Sequence, residues 1–194
     1  MRELAILTFQ TLDGVMQAPS MPQEDRSGGF DKGGWATDYW PEVMTQVQRE
    51  AMSEPYDILF GRKTYELFAG HWPHERDTNP VAKIMNHATK YVATNTMSDF
   101  SWAHSSAISG DVPAEIAKLK EQDGPLIQVH GSCDLIQTLL AHDLIDEFRL
   151  WTFPVLVGGG KRLFADAHAL AELQCIKSDV TENGVVMGIY KRKR

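Results

Sequence analysis

The sequence contains little cysteine, no long apolar run and no excess of positive charge. Its two cysteines, Cys133 and Cys175, lie far apart in a chain of 194 residues and fit no metal-binding spacing, so we expect a reducing, cytoplasmic setting. The first apolar run, Leu4–Leu7, is too short for a signal sequence or a membrane span, and no later run approaches spanning length. A formal net charge of −7 argues against general binding to nucleic acid or membranes.

The stricter nucleotide-binding and metal-binding motifs are also missing. No G-x-G-x-x-G follows a strand-like run, so the usual dinucleotide fingerprint is absent. The stretch VGGGKRLF looks like a phosphate-binding P-loop only superficially, because Val155 stands where its first glycine belongs and Arg162 replaces its Ser or Thr. His71 and His74 form a close pair without a third ligand, so no metal site is expected.

The pattern of the chain predicts a single α/β domain over residues 1–194. Hydrophobic residues make up 43% and charged residues 23%, as in ordinary globular domains. Strand-like runs are predicted at Leu4–Gln10, Tyr56–Phe60, Tyr91–Thr94, Pro125–His130 and Glu147–Val157. Between several of them, helical periodicity covers Pro41–Met52, Pro80–His87, Pro113–Gln122 and Leu135–Ala141. A closing strand pair around Asn183-Gly184 predicts an antiparallel hairpin at the edge of a mostly parallel sheet.

The longest irregular segment, Asp13–Tyr39, is rich in glycine, proline and charge. We call it the long loop. Loops of this length in compact domains are usually functional or disordered. Trp35, Tyr39 and Trp40 lie at its end, where they either stack on a planar heterocyclic ligand or fasten the loop to the body of the protein.

The stretch YDILFGRKTYELF predicts a phosphate-binding turn. An apolar strand runs into Gly61, followed by Arg62, Lys63 and Thr64 at the start of a helix. The free backbone N–H groups of a helix N-terminus attract phosphate, and these side chains add two cations and a hydroxyl donor. The alternative is an ordinary strand–helix turn with solvated cations. We call this segment the Gly61 turn (Gly61–Thr64).

A second strand–glycine–helix junction occurs in PLIQVHGSCDLIQTLL. Gly131 allows close approach of a ligand, and Ser132 offers a hydroxyl. We call this segment the Gly131 turn (Gly131–Ser132). Ligands of open α/β sheets lie beyond the carboxyl ends of the strands, so two such turns together suit the phosphate groups of a dinucleotide.

A resemblance to a known family covers nearly the whole chain. It rests on four motifs that occur in the family's order: LTFQTLDGV, FGRKTYE, VHGSCDLIQTLL and FPVLVGGGKRLF. The chain resembles the dihydrofolate reductase-like family, which includes the C-terminal reductase domain of the bifunctional deaminase-reductases of riboflavin biosynthesis (RibD). The resemblance implies a three-layer α/β fold with a twisted, mostly parallel sheet and helices on both faces. It also implies NADPH as hydride donor and, by family habit, a homodimer.

The resemblance assigns cofactor contacts residue by residue. The Gly61 turn would meet the phosphates, with Arg62 nearest the adenosine 2′-phosphate. The Gly131 turn would cradle the pyrophosphate, although His130 and Ser132 depart from a turn that usually contains more glycine. Thr94 and Asn95, after the third predicted strand, would border the adenine and 2′-phosphate pocket.

Two carboxylates are candidate catalytic residues. By resemblance, Asp13 lies beside the nicotinamide and substrate, although Asp-Gly is also a common turn pair with a purely backbone role. Glu42 lies near the position of the acid that orients the pterin in dihydrofolate reductases, and a carboxyl in an apolar cleft can donate a proton. The alternative for Glu42 is a solvated acid at a helix start.

The resemblance predicts an NADPH-dependent reductase that transfers hydride to a small planar heterocycle. Three substrates stay open: a ribosylamino-pyrimidine of the riboflavin pathway, dihydrofolate and an unknown compound. The chain lacks the deaminase half, and it carries Gly-Arg-Lys-Thr where the pyrimidine reductases have an Asp-Asp-Pro-containing stretch. A non-catalytic protein that binds or senses NADPH is the alternative function, since a shared fold does not establish turnover.

Overall fold

The computed structural model of the chain describes residues 1–165 and 171–193. The described residues form eight strands: β1 Leu4–Thr11, β2 Tyr56–Gly61, β3 Lys90–Ala93, β4 Ser105–Ile108, β5 Leu126–His130, β6 Glu147–Phe153, β7 Leu173–Val180 and β8 Val186–Arg192. They also form five α-helices: α1 Trp40–Ala51, α2 Arg62–Ala69, α3 Pro80–His87, α4 Val112–Glu121 and α5 Cys133–Ala141. Three short 3-10 turns lie at Ser27–Gly29, Thr37–Tyr39 and Trp72–His74. Among these residues no helix has the length and apolar character that crossing a bilayer requires.

The strands make one sheet in the order β4-β3-β2-β5-β1-β6-β8-β7. All pairings from β4 to β6 are parallel, whereas β8 runs antiparallel to both β6 and β7. The predicted mixed sheet with an antiparallel C-terminal hairpin is therefore confirmed. Because β5 lies between β2 and β1, the carboxyl ends of these strands are neighbours at one edge of the sheet.

Helices cover both faces of the sheet, which confirms the three-layer fold. On one face α1, α2 and α3 bury Val47, Tyr65 and Met85 against the sheet. On the other face α4 and α5 bury Ile116 and Ile136. Burial of apolar side chains on both faces is the main favourable contribution to folding.

Several boundaries differ from the sequence-based expectation for identifiable reasons. The strand predicted to reach Val157 ends at Phe153, because Pro154 has no N–H to donate to the sheet. The edge strand β4 was not predicted, since its sequence Ser-Ser-Ala-Ile has no apolar alternation. Helix α2 starts at Arg62, so both cations belong to its first turn.

Backbone and carboxylate contacts hold the start of the long loop. Val15 forms an isolated antiparallel bridge with Arg162. The Asp13 carboxylate accepts hydrogen bonds from the Thr11 hydroxyl at 2.6 Å and from the N–H groups of Gly158 and Val157 at 2.8 and 3.3 Å. These donors lower the pKa of Asp13 to about 2, that of Thr11 most strongly and those of Gly158 and Val157 after it. Asp13 thereby joins the long loop to the segment after β6.

Aromatic packing holds the other end of the long loop. Phe153 is fully buried, and the rings of Trp35, Tyr39 and Trp40 surround it edge-on at centroid distances of 5.2, 5.5 and 6.0 Å. The indole N–H of Trp35 donates to the Gln17 carbonyl at 2.8 Å. Of the two roles foreseen for these aromatic residues, this geometry supports fastening the loop to the body.

Removing the ring at the centre of this aromatic cluster tests its structural role. Phe153→Ala should lower the free energy of unfolding by about 3–5 kcal/mol, because it leaves a cavity among three rings. Urea unfolding followed by tryptophan fluorescence measures the change. Phe164 is exposed, and Phe164→Ala is the matched control, with an expected loss below about 1 kcal/mol. Equal losses in both variants would contradict the role of Phe153.

The Asp13 anchor should depend on pH. A carboxyl whose pKa is lowered on folding stabilises the folded state above its ordinary pKa of 3.8 and loses that contribution as the pH falls toward 2. Asp13→Asn should therefore be less stable than the unaltered protein at neutral pH, and the difference should shrink under acid. Urea unfolding across this pH range tests it, with the exposed Asp123→Asn as control. A difference that is the same at all pH values would contradict the anchor.

Candidate functional site

A serine hydroxyl joins the two predicted phosphate turns. Gly61 precedes α2 and donates its N–H to the Ser132 hydroxyl oxygen at 2.8 Å. Ser132 in turn donates to the Thr64 hydroxyl oxygen at 2.9 Å. Gly131 and Ser132 both have left-handed backbone angles, with φ of +59° and +68°, which turn the chain sharply from β5 into α5. Residues 71 positions apart in sequence thus form one continuous surface.

This surface is one wall of a cavity of about 530 Å³ at the carboxyl edge of the sheet. The volume falls within the range of small-molecule and cofactor sites. Both turns line the cavity in full, together with the end of β1, part of the long loop and α5. The other lining residues are Leu7, Thr8, Phe9, Met16, Ala18, Pro19, Ser20, Glu24, Asp25, Leu67, Phe68, Ala93, Val112, His130, Cys133, Asp134, Leu135, Thr138 and Lys161.

The end of the cavity near the two turns is electropositive. Helices α2 and α5 both begin there, and the first N–H groups of a helix have no partner within it. Arg62 pairs with Glu66 one helical turn later at 2.8 Å, and both side chains are well exposed, so this pair can rearrange at little cost. Among residues 1–165 and 171–193, Lys63 has no ion-pair partner. Anionic groups are therefore favoured at this end.

One buried hydroxyl in the cavity wall lacks a partner. Thr8 is 1% exposed, and its hydroxyl has no hydrogen bond to any described residue. A buried, unpaired polar group costs about 1–3 kcal/mol, which a bound ligand that pairs with it would recover. Together with the two helix N-termini and Gly131, this hydroxyl fits a polar ligand that carries negative charge at one end.

The long loop, the start of α5 and the segment after β6 add acids and one lysine to the cavity wall. Lys161 donates to Asp25 of the long loop at 3.0 Å and lies 4.0 Å from Asp134. Burial opposes ionisation of Asp25, but hydrogen bonds from Ser27 and Lys161 outweigh it and lower the pKa of Asp25 to about 2. Burial raises the pKa of Glu24, despite hydrogen bonds from two backbone N–H groups. The ion pair of Lys161 with Asp25 holds the long loop against the cavity.

The two predicted catalytic carboxylates do not line this cavity. Asp13 is engaged by the segment after β6, as described above. Glu42 accepts a hydrogen bond from the Asn183 N–H at 3.0 Å and so supports the turn between β7 and β8. A catalytic role for either carboxylate stays a prediction that this arrangement does not support, since neither lines the cavity.

The remaining predicted residues lie beside the cavity. The Thr94 hydroxyl accepts from the N–H groups of Thr96 and Met97, both at 3.2 Å, and the Asn95 side chain accepts from the Gly110 N–H at 2.7 Å. They shape the turn that follows Ala93, which does line the cavity. Trp35, Tyr39 and Trp40 likewise do not line it. Their predicted ligand contacts are untested.

Sequence reasoning missed several lining residues, most clearly Thr8, Glu24, Asp25 and Lys161. Thr8 is a polar residue inside an apolar strand, which was the available signal. The two acids occur in a loop without periodicity, so nothing in the sequence placed them. Lys161 follows three glycines, and its contacts with the long loop, such as the bridge between Val15 and Arg162, appear only in the folded chain.

Comparison with known proteins agrees with the geometry. The sequence model of the RibD C-terminal domain matches residues 2–187. The uncharacterized protein YyaP of Bacillus subtilis (strain 168) is 32% identical over 136 residues, which span 69% of this chain and 72% of YyaP. The uncharacterized protein YwjB of the same organism is 31% identical over 107 residues, which span 55% of this chain and 57% of YwjB.

Two solved structures share the fold. A Shewanella sp. PV-4 protein provisionally assigned to riboflavin biosynthesis matches with a TM-score of 0.66 and 21% identity over the full length of both chains. Dihydrofolate reductase from Enterococcus faecalis, complexed with NADP(H) and RAB-propyl, matches with a TM-score of 0.62 and 14% identity, covering 99% of this chain and 97% of the other. At such identities these structures establish the fold. The chain belongs to the RibD C-terminal domain family and has the dihydrofolate reductase-like fold.

Proposed function

We propose that this protein is an NADPH-dependent reductase of a small planar substrate. The observation that carries the proposal is the Ser132 link, which gives the Gly61 and Gly131 turns a common face on one cavity. A single turn at a helix N-terminus binds many anions, whereas two adjacent turns suit the separated phosphates of a dinucleotide. The family match and the NADP(H) complex of the Enterococcus faecalis reductase support this assignment.

The types of residue that line the cavity are suited to binding NADPH. Arg62 and Lys63 would hold the 2′-phosphate, with Arg62 leaving its pair with Glu66. Thr64 and the backbone of the Gly131 turn would bind the pyrophosphate, because the Thr64 hydroxyl accepts from Ser132 and keeps its own proton for donation. Thr94 and Asn95 would shape the adenine end. When bound, NADPH would supply a hydride, and the protein would supply orientation and exclusion of water.

Proton supply falls to a residue that the sequence did not single out. Glu24 lines the cavity, and burial raises its pKa, so its carboxyl is better suited to hold a proton than Asp13, whose pKa is about 2. Because Glu24 belongs to the long loop, that loop would both supply the proton and cover the site. Asp13 then acts as an anchor for that loop.

The substrate stays open between a riboflavin-pathway pyrimidine, dihydrofolate and a further compound. The structural relatives include a protein provisionally assigned to riboflavin biosynthesis and a dihydrofolate reductase, but the Bacillus subtilis relatives are uncharacterized. No carboxylate on α1 lines the cavity, which disfavours a pterin-orienting acid at Glu42. We favour the further compound over folate for this reason.

A non-catalytic NADPH-binding or sensing protein is the second candidate. The observation that favours it is the structural engagement of Asp13 and Glu42, the acids expected to act in catalysis.

A homodimer also belongs to the proposal. The outer hairpin exposes Ile176, Val180 and Val186, an apolar surface that is compatible with such an assembly.

Coenzyme selectivity tests the cofactor assignment. Titration followed by tryptophan fluorescence should show tighter binding of NADPH than of NADH, because Arg62 would pair with the 2′-phosphate. Arg62→Ala should reduce this preference by about tenfold or more, the loss of one hydrogen bond to a charged group. Arg76→Ala is the control, since exposed Arg76 is not a lining residue. Equal affinity of the unaltered protein for the two coenzymes would remove Arg62 from this role.

Turnover separates the enzyme from the binding protein. Oxidation of NADPH, followed by its absorbance at about 340 nm, should occur with a planar carbonyl or imine substrate if hydride transfer takes place. Dihydrofolate and a ribosylamino-pyrimidine are the first compounds to test. Glu24→Gln should slow any turnover without weakening NADPH, since it removes only the acid. Tight NADPH binding without oxidation across a panel of such compounds would favour the sensing function.

A further inference from the structure

A chain of hydrogen-bonded polar side chains runs through the core from β6 to the cavity. The Glu147 carboxylate accepts from the Arg149 guanidinium at 2.5 Å. Arg149 also donates to the side-chain oxygen of Gln128 at 2.9 Å. The side-chain nitrogen of Gln128 lies 2.8 Å from Nε2 of His130, at the end of β5. Gln128 and His130 lie on β5 and Glu147 and Arg149 on β6, so Arg149 reaches Gln128 across the intervening strand β1. Polar groups in this part of the core need partners.

This chain fixes the orientation of the Gln128 side chain. A guanidinium only donates hydrogen bonds, so the amide oxygen of Gln128 must face Arg149. The amide nitrogen of Gln128 therefore faces His130. In the reversed orientation the amide nitrogen of Gln128 would face the guanidinium of Arg149. Two buried donors would then meet without an acceptor, which is unfavourable.

The same chain fixes the tautomer of His130. An amide nitrogen donates and does not accept, so Nε2 of His130 must be the unprotonated nitrogen. The ring proton then lies on Nδ1. The ring is neutral, because burial lowers the pKa of His130 to about 3 and the nearby charge of Arg149 acts in the same direction. Stacking on the Tyr56 ring, 5.7 Å away, holds the imidazole in place.

The Nδ1–H group has no protein acceptor in the part of the chain that the structure describes. His130 is 5% exposed and lines the cavity, directly opposite Leu7 of β1 in the sheet register. The ring edge contacts Phe68, which lines the same cavity. Since Nδ1 is not among the fully buried side-chain atoms that lack a partner, it is accessible from the cavity, where an acceptor on a ligand can reach it.

We propose that His130 is a ligand-binding residue, that its Nδ1–H donates to a carbonyl or ring-nitrogen acceptor of an uncharged planar ring, and that Gln128 and Arg149 are positioning residues that keep the proton on Nδ1. The inference deepens the proposed function, on which it rests, by naming the substrate class. A ring that presents a donor at this point would leave His130 unpaired and would bind less well.

Nitrogen-15 NMR of histidine-labelled protein reads the tautomer directly. His130 should give a protonated Nδ1 and an unprotonated Nε2, without titration across the neutral range. In Gln128→Glu the carboxylate accepts from both Arg149 and the imidazole, so the proton should move to Nε2. Gln10→Glu is the matched control, since Gln10 lies on β1, bonds Thr152 and is not a lining residue. A protonated Nε2 in the unaltered protein would overturn the proposal.

Ligand contact is tested with lumazine, an uncharged bicyclic ring with two carbonyl groups, as the probe. Its addition should shift the His130 Nδ1 resonance. Both His130→Phe, which keeps an aromatic ring, and Gln128→Glu should weaken lumazine binding by about fivefold, the loss of one neutral hydrogen bond. Gln10→Glu should leave it unchanged. An Nδ1 resonance unaffected by lumazine, or equal lumazine affinity in all variants, would overturn the proposal.

Measurement of NADPH binding on the same samples keeps the two proposals distinguishable. The coenzyme phosphates are assigned to the Gly61 and Gly131 turns, so Gln128→Glu should bind NADPH with unchanged affinity. NADPH binding with no lumazine effect at His130 would reject the present inference alone. A lumazine effect at His130 in a protein that fails to bind NADPH would reject the proposed coenzyme and leave His130 as a ligand-binding residue.

Discussion

The site depends on one small interaction, the pair of hydrogen bonds that the Ser132 hydroxyl makes with the N–H of Gly61 and the hydroxyl of Thr64. The order of strands brings the ends of β2 and β5 together, and this link joins the starts of α2 and α5 directly. Since both helix starts carry partial positive charge, holding them together concentrates that charge at one end of the cavity. The left-handed backbone at Gly131 and Ser132 is the local cost of this arrangement, and a serine at the second position places the linking hydroxyl.

Charge is distributed unevenly in a protein whose net charge is −7. The end of the cavity at Gly61–Thr64 is cationic, whereas the wall formed by the long loop carries Glu24 and Asp25. The cations and helix start at Gly61–Thr64 favour an anionic group there, whereas Asp25 of the long loop is already paired with Lys161. The imidazole of His130, which lines the cavity next to the Gly131 turn, is neutral. Arg149 fixes the orientation of the Gln128 amide, and that amide fixes the tautomer of His130. The charge of Arg149 is balanced by Glu147.

Much of the fold was predictable because its signals are local. The apolar run Leu4–Leu7, the Asn79-Pro80 helix start and the Asn183-Gly184 turn each carry their structure in a few residues, and all are found as expected. The Gly61 and Gly131 turns were identified for the same reason. What escaped prediction depends on contacts between distant segments. Glu24 and Lys161 line the cavity because the long loop packs on the segment after β6, and N–H groups of that segment bind the Asp13 carboxylate. The polar strand β4 likewise forms by pairing with β3, whereas the end of β6 before Pro154 has a local cause that the apolar run concealed.

The central claim is that both turns hold one dinucleotide together. A crystal structure of the protein grown with excess NADPH tests it most directly. The account predicts one coenzyme molecule whose phosphate oxygens contact the Gly61 turn and the Gly131 turn at the same time, with its nicotinamide directed toward the end of β1. A coenzyme that touches only one of these turns, or that binds elsewhere while both stay empty, would contradict it.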